Sequence, residues 1–228
     1  MNPFLNSVLD FFIPRVCVSC DMKLTLEEFS ICENCFQKIK NANSQFIRQE
    51  FLRKFEEDKI IKDFLSLFIF SEDSPIRDLL HVLKYEKKFR LGNFLGKLLA
   101  ANFDEQIKKW DIDFVIPIPL HKLKMAERGY NQSYYISKGL ANCISKKVNT
   151  KIVKRNRFTS TQTKLNLAAR KENIKDAFSI TNKKRIKDKN ILLLDDVITT
   201  GATITECGKL LKQNGANNIY AVSVCLAE

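Results

Sequence analysis

The segment that most limits what this chain can become is Ile191-Leu-Leu-Leu-Asp195-Asp196-Val-Ile-Thr199-Thr200-Gly201-Ala202-Thr203. Its opening apolar run has no polar alternation, as expected of a strand covered on both faces rather than one that faces water. The expected strand is Asn190–Leu194, and two carboxylates follow where it emerges. In open parallel sheets, ligands bind beyond the carboxyl ends of the strands. Thr199–Thr203 then reads as a turn of small residues opening into a helix. Such a turn aims backbone N–H groups, and the positive end of the helix dipole, at an anion. Gly201 permits close backbone approach, and the threonine hydroxyls add donors. Adjacent carboxylates are costly to bury without partners, but a diol supplies two O–H donors and Mg²⁺ supplies charge. A bare Asp-Asp pair is an ordinary strand-end turn. The full string is far more specific.

The rest of the large domain alternates in the same style. Leu65–Phe70 reads as a short strand, and Ser74-Pro75 opens a helix with Ile76, Leu79, Leu80 and Leu83 on one face. A helix over Leu91–Lys109, a strand over Phe114–Ile118 and a helix over Gln132–Lys146 follow. Short strands are expected at Ile152–Lys154 and Ala177–Ile180, then a lysine-rich hinge, Asn182–Lys189. A helix over Ile204–Gln213 and a strand over Ile219–Leu226 close the pattern. Strand–helix alternation with apolar strands predicts an α/β fold, a parallel sheet with helices on both faces.

A different kind of sequence precedes it. Cys17-x-x-Cys20 and Cys32-x-x-Cys35 are separated by eleven residues, a spacing that suits a structural Zn²⁺ site closed by four thiolates. Two disulfides are the rival reading, but Met1–Arg15 lacks the basic start and cleavage site of an export signal. In that stretch Phe4, Leu5, Val8, Leu9 and Phe12 share one helical face, which fits a short docking helix or, less simply, a membrane-surface anchor. No run is long enough to span a bilayer, and a cytoplasmic location is expected. Cys143, Cys207 and Cys225 read as buried small hydrophobes. The expected division is a helix and zinc module over 1–40, a linker helix over 41–62 carrying Ile47, Phe51 and Phe55, and the large domain over 63–228. Residues 1–60 hold 8 Lys/Arg and 9 Asp/Glu, or −1, while 61–228 hold 30 and 17, or +13. The basic excess therefore lies wholly in the large domain, as a solvated surface or a polyanion-binding face.

Residues 191–203 resemble the 5-phosphoribosyl-1-pyrophosphate (PRPP) motif of type I phosphoribosyltransferases. The whole chain is similar to the ComF/GntX-like competence branch of that fold. The marks are the cysteine pairs, Ser74-Pro-Ile-Arg-Asp-Leu-Leu with Lys84-Tyr85, Ile116-Pro-Ile-Pro-Leu-His121, Arg128-Gly-Tyr-Asn-Gln132, and Gln162, Leu165, Arg170, Asn173 and Phe178. The resemblance implies that Asp195 and Asp196 hold the ribose hydroxyls and that Thr199, Thr200, Gly201, Ala202 and Thr203 hold the 5′-phosphate. It places the loop after Phe114–Ile118 at the pyrophosphate, with Arg128 as first contact and Lys84 as a further candidate. His81 and His121 read as structural. A mobile loop, Arg155–Arg170, would close over the site and bring Arg157, Lys164 and Arg170, while a hood over residues 41–75 would read the acceptor. The resemblance further implies Mg²⁺ bound with PRPP, transfer of the ribosyl group, and a role in natural competence. The partners implied are PRPP, single-stranded DNA and competence-machinery proteins, at the inner face of the membrane.

Overall fold

The computed structural model describes residues 15–158 and 174–227. The helix expected over Met1–Arg15 falls, except for Arg15, outside them. So do Gln162, Lys164, Leu165, Arg170 and Asn173.

The elements in chain order are α1 (Glu33–Phe36), α2 (Ser44–Phe55), β1 (Ile61–Phe70), α3 (Pro75–Tyr85), α4 (Phe89–Lys109), β2 (Phe114–Pro117), α5 (Lys122–Arg128) and α6 (Gln132–Cys143). They continue with β3 (Lys147–Val148), β4 (Val153–Arg155), β5 (Phe178–Ile180), a 3₁₀ turn (Lys183–Arg185), β6 (Ile191–Ile198), α7 (Ala202–Gln213) and β7 (Ile219–Ala227). Five strands form one sheet in the order β1-β7-β6-β2-β3, and every neighbouring pair is parallel. β4 and β5 form a separate antiparallel pair.

Burial follows the pleat. Phe64, Ile116, Ile191, Leu193 and Ala221 face a core completed by Phe55 of α2, by Ile204, Cys207 and Leu211 of α7, and by Phe178. Leu65, Val115, Leu192, Leu194 and Val222 face a second core built with α3, α4 and α6. The α/β expectation holds, with helices on both faces of a parallel sheet.

Three local expectations change. The strand expected to stop at Leu194 runs through Asp195 and Asp196 to Ile198, because Asp195 pairs with Ser223 and Val197 with Cys225 of the adjoining β7. Ile61–Phe70 is longer than expected and forms an edge of the main sheet, so that part of the expected hood belongs to the scaffold. Of the three scattered cysteines, Cys207 and Cys225 are buried, but Cys143 is exposed. It is the last residue of α6.

β2 and β6 lie side by side, yet the chain leaves them in opposite directions. α6, after β2, packs on one face and leads to β3. α7, after β6, packs on the other face and leads to β7. A crevice therefore opens between the ends of β2 and β6, at a topological switch point. Asp195 and Asp196 stand on its rim.

Candidate active site and cysteine cluster

Consecutive strand residues point to opposite faces, yet at the end of the strand both aspartates find partners on helices of the same sheet face, α6 and α3. Asp195 Oδ1 accepts a 3.0 Å hydrogen bond from Ser133 Oγ and another, also 3.0 Å, from the Asp196 N–H. Ser133 lies in the first turn of α6, which is N-capped by Asn131. Asp196 forms a 3.1 Å ion pair with Lys84 Nζ, from the last turn of α3. Both carboxyl groups are withdrawn from water, but they respond differently. Burial pushes Asp195 well above the usual carboxylate range, and the neighbouring Asp196 charge adds to it. Burial also opposes ionisation of Asp196, but the Lys84 ammonium outweighs it and holds Asp196 below its ordinary value. The pair is thus asymmetric, with Lys84 favouring the charged form of Asp196 while burial and the Asp196 charge disfavour ionisation of Asp195.

Beyond the aspartates, Thr199–Thr200 leads to Gly201, whose φ of 78° lies in the left-handed region. A Cβ there would stand 2.8 Å from the Phe55 ring, so glycine is required by packing as well as by conformation. α7 has no side-chain cap from its N-cap residue, Gly201, the Ala202 N–H donates to Thr200 Oγ1 at 3.4 Å, and the first turn borders a small hollow. Asp195, Thr199, Thr200, Gly201, Ala202 and Thr203 all line that hollow.

Cations ring the opposite side. Arg128 ends α5 and sits 5.6 Å over the Tyr85 ring. α5 itself, Lys122–Arg128, lies where a plain loop was expected. Lys124 precedes Arg128 by one helical turn, and burial, together with repulsion from Arg128, Arg155 and Lys84, lowers its pKa. Arg155, at the end of β4, feels the Asp195 charge and lies 5.6 Å over the Phe178 ring. Tyr130 is 5% exposed, and among the described residues its hydroxyl has no hydrogen-bond partner. Burial pushes that hydroxyl up to about 12, with Arg128 and Asp196 as its charged neighbours.

Thus Lys84, Arg128, and the continuous segment of Asp195, Asp196 and the Thr199–Thr203 turn converge from three separate stretches of chain. Ser133, Lys124, Tyr130 and Arg155 join them, although the sequence reading assigned these four no role. In the sequence, Tyr130 stood within the Arg128-Gly-Tyr-Asn-Gln132 motif and Arg155 opened the expected loop, while Ser133 and Lys124 carried no signal. The two histidines are structural. His121 Nδ1 accepts from the Leu123 N–H to cap α5, and His81 packs against Tyr85.

In the amino-terminal module, the four sulfur atoms of Cys17, Cys20, Cys32 and Cys35 lie within 4.8 Å of one another. The Cys20 and Cys32 sulfurs are 3.7 Å apart, and Cys17 Sγ accepts a hydrogen bond from the Cys32 N–H. Zn–S bonds of about 2.3 Å in a tetrahedron require S···S edges of roughly 3.8 Å, so this set fits a tetrahedral ion. Without one, the thiols divide. Burial opposes ionisation of Cys17, but backbone N–H groups prevail and bring it down to about 7, while Cys35 is pushed up to about 12 by burial and its neighbours. The four cysteines can hold a metal such as zinc.

The phosphoribosyl transferase domain model matches residues 98–227, more than half of the chain. The chain belongs to that family. Curated proteins similar to it match nearly its full length. It is 27% identical over 224 residues to competence protein F of Haemophilus influenzae, with 93% of this chain and 96% of that protein covered. DNA utilization protein YhgH of Escherichia coli K12 is 25% identical, covering 93% and 97%. Competence protein ComFC of Streptococcus pneumoniae is 27% identical, covering 86% of each. Over nearly its whole length the chain is thus similar to proteins named for competence and DNA utilization, and it carries the four-cysteine cluster toward its amino-terminal end. Among the described residues, no helix is long and apolar enough to cross a membrane.

Proposed function

We propose that the protein binds PRPP with Mg²⁺ in the crevice between β2 and β6, and that it works in the handling of single-stranded DNA during natural competence. The observation that carries this reading is the pairing of one buried and one half-buried carboxylate with a small-residue turn at a helix start on one side and a ring of four cations on the other. A sugar bearing a phosphate at one end and a pyrophosphate at the other matches that order of groups. Thr199–Thr203 would hold the 5′-phosphate through backbone N–H groups and hydroxyls. Asp195 and Asp196 would accept hydrogen bonds from the ribose hydroxyls. Arg128, Lys124, Lys84 and Arg155 would face the pyrophosphate, with Arg128 suited to fork-like contact.

The oxygen donors of Asp195 and Asp196 suit a hard cation. When bound with PRPP, Mg²⁺ supplies charge neutralisation of the leaving pyrophosphate. The residues of the chain do the rest. They orient the anomeric carbon, stabilise the departing anion with fixed cations, and keep water from the reacting centre. In the four-cysteine cluster we assign Zn²⁺ a structural role, since all four positions are thiols and none is left open to a substrate.

The names of the relatives, competence protein and DNA utilization protein, support the link to DNA. A cytoplasmic protein working at the inner face of the membrane fits that link. Ribosyl transfer to a small base is the second reading, and the intact phosphate turn and acid pair favour it equally.

The test is thermal unfolding with and without PRPP and Mg²⁺, because a ligand bound only by the folded state raises Tm by mass action. Asp195→Asn combined with Asp196→Asn should abolish the rise. A folded double variant with an undiminished rise would overturn the proposal. Pyrophosphate release followed across bases and single-stranded DNA separates a transferase from a binding protein.

A further inference from the structure

A second concavity lies outside the PRPP crevice. It is a groove of about 500 Å³ between the cysteine module and the α3–α4 turn, walled by Arg15, Val16, Leu24, Phe29, Lys87, Lys88, Phe89 and Arg90, with Glu28 and Ser30. That volume is within the roughly 300–1,000 Å³ usual for ligand sites. Its walls are largely apolar and its rim is basic. Four cations face one carboxylate, and both oxygens of Glu28 already accept backbone N–H groups, from Thr25 and Glu33. Lys88 keeps a 3.3 Å contact with Glu86, a pair half open to water and therefore weak.

The aromatic content is equally unusual. Phe89 and Phe94 are each 37% exposed. Phe89 stacks on Tyr135 with ring centres 4.6 Å apart and meets Tyr130 edge-on at 4.8 Å. Phe29, from the cysteine module, lies 6.4 Å from Phe94. One side of the groove reaches toward the crevice. Lys87 passes over Gly129, its Cε 3.3 Å from where a Cβ would stand, and the next residues are Arg128 and Tyr130. Tyr85, 50% exposed, stacks with Arg128 along the same line.

We propose that this groove seats a single-stranded polynucleotide. The exposed face of Phe89, together with Phe29, stacks bases, and Arg15, Lys87, Lys88 and Arg90 contact phosphates. The strand runs by way of Lys87 and Tyr85 toward the acid pair. Stacking faces interleaved with cations are how single strands are held without sequence preference, and no duplex can offer its bases to such a groove. The inference rests on the DNA-handling part of the proposed function, but not on PRPP binding.

The experiment is anisotropy of labelled oligothymidylate on the full chain at several salt concentrations, with an oligouridylate and a duplex of equal length as comparison arms. Lys88→Ala with Arg90→Ala should lower the slope of log K against log salt by roughly 1.4, at about 0.7 for each lost phosphate contact. Phe89→Ala should weaken binding on the order of tenfold, leave the slope alone, and be rescued by Phe89→Trp. All these variants should keep the PRPP-induced rise in Tm, so a failed PRPP reading and a failed groove reading give different results. Preference for RNA over DNA would still support a single-strand groove, whereas equal affinity for duplex would overturn it. Wild-type affinity in both groove variants would also overturn it. So would a photo-crosslinker in place of Phe89 that joins a second copy, or the first residues of this chain, instead of the oligonucleotide.

Discussion

Two neighbouring carboxyl groups in the same strand should respond oppositely to the same substitution. The folded-state pKa of Asp195 is raised, so folding takes up a proton above about pH 4, the unfolded value. The stability from that proton is full below pH 4 and declines as pH rises toward the folded pKa. Asp195→Asn should therefore flatten the loss of stability between pH 4 and neutrality, and raise the Tm of the ligand-free protein at pH 7. Asp196 is depressed by Lys84 and contributes stability above about pH 4, lost as pH falls through its folded value. Asp196→Asn should lower Tm at pH 7 and have little effect in acid. Lys84→Met should cost about 2 kcal/mol at pH 7. That is below the roughly 3–5 kcal/mol of a fully buried pair, because the lysine still touches water. Denaturant unfolding of the three variants at pH 4 and pH 7 checks these signs. Equal effects of the two aspartate changes would contradict the asymmetric pair.

Among the elements, the contact of α4 with α6 is the tightest in the molecule to be set by glycine. A Cβ on Gly96 would strike the Ile136 carbonyl, and one on Gly139 would strike backbone of Asn93. Neither obstacle can rotate aside. Gly139→Ala should therefore destabilise the fold by about 1–3 kcal/mol or more, by overpacking alone. It should also displace Ser133, six residues earlier on the same helix, and so weaken the PRPP-induced rise in Tm. Gly201→Ala should behave differently. It meets Phe55 and a left-handed φ at once, so it should abolish the PRPP response and also lower stability. Melting curves with and without ligand, on both variants, separate a helix-packing effect from a lost phosphate turn.

Across the whole molecule, the cysteine cluster is not an independent bead. Cys17, Leu24, Ile31, Cys32 and Cys35 belong to the same core as α3, α4, α6 and one face of the sheet, and Phe36 meets Phe68 of β1 edge-on at 5.9 Å. Metal bound there is therefore linked to folding of the large domain. Purified protein should contain close to one zinc per chain by metal analysis. Cys32→Ser should release it, lower Tm, and leave a single unfolding transition rather than two. Two separated transitions would show that the module and the sheet fold apart.

The sequence by itself determined whatever is written in contiguous residues. The run Ile191–Leu194 could only be a doubly covered strand, the acid pair could only follow it, and Gly201 marked the turn before α7. The spacing of the four cysteines gave the cluster for the same reason, since each pair closes over its own two intervening residues. Structure alone decided what depends on residues far apart in the chain. No local pattern announces that Ser133 reaches Asp195 across sixty-two positions, or that Lys84 rather than solvent neutralises Asp196. The extension of β6 through two aspartates, against their low strand propensity, is set by pairing with β7. The ring of Lys124, Arg128 and Arg155 forms only once β2 and β6 lie side by side and the chain departs from them in opposite directions. Chain connectivity writes the strand and the turn, but only packing brings their charges to one crevice.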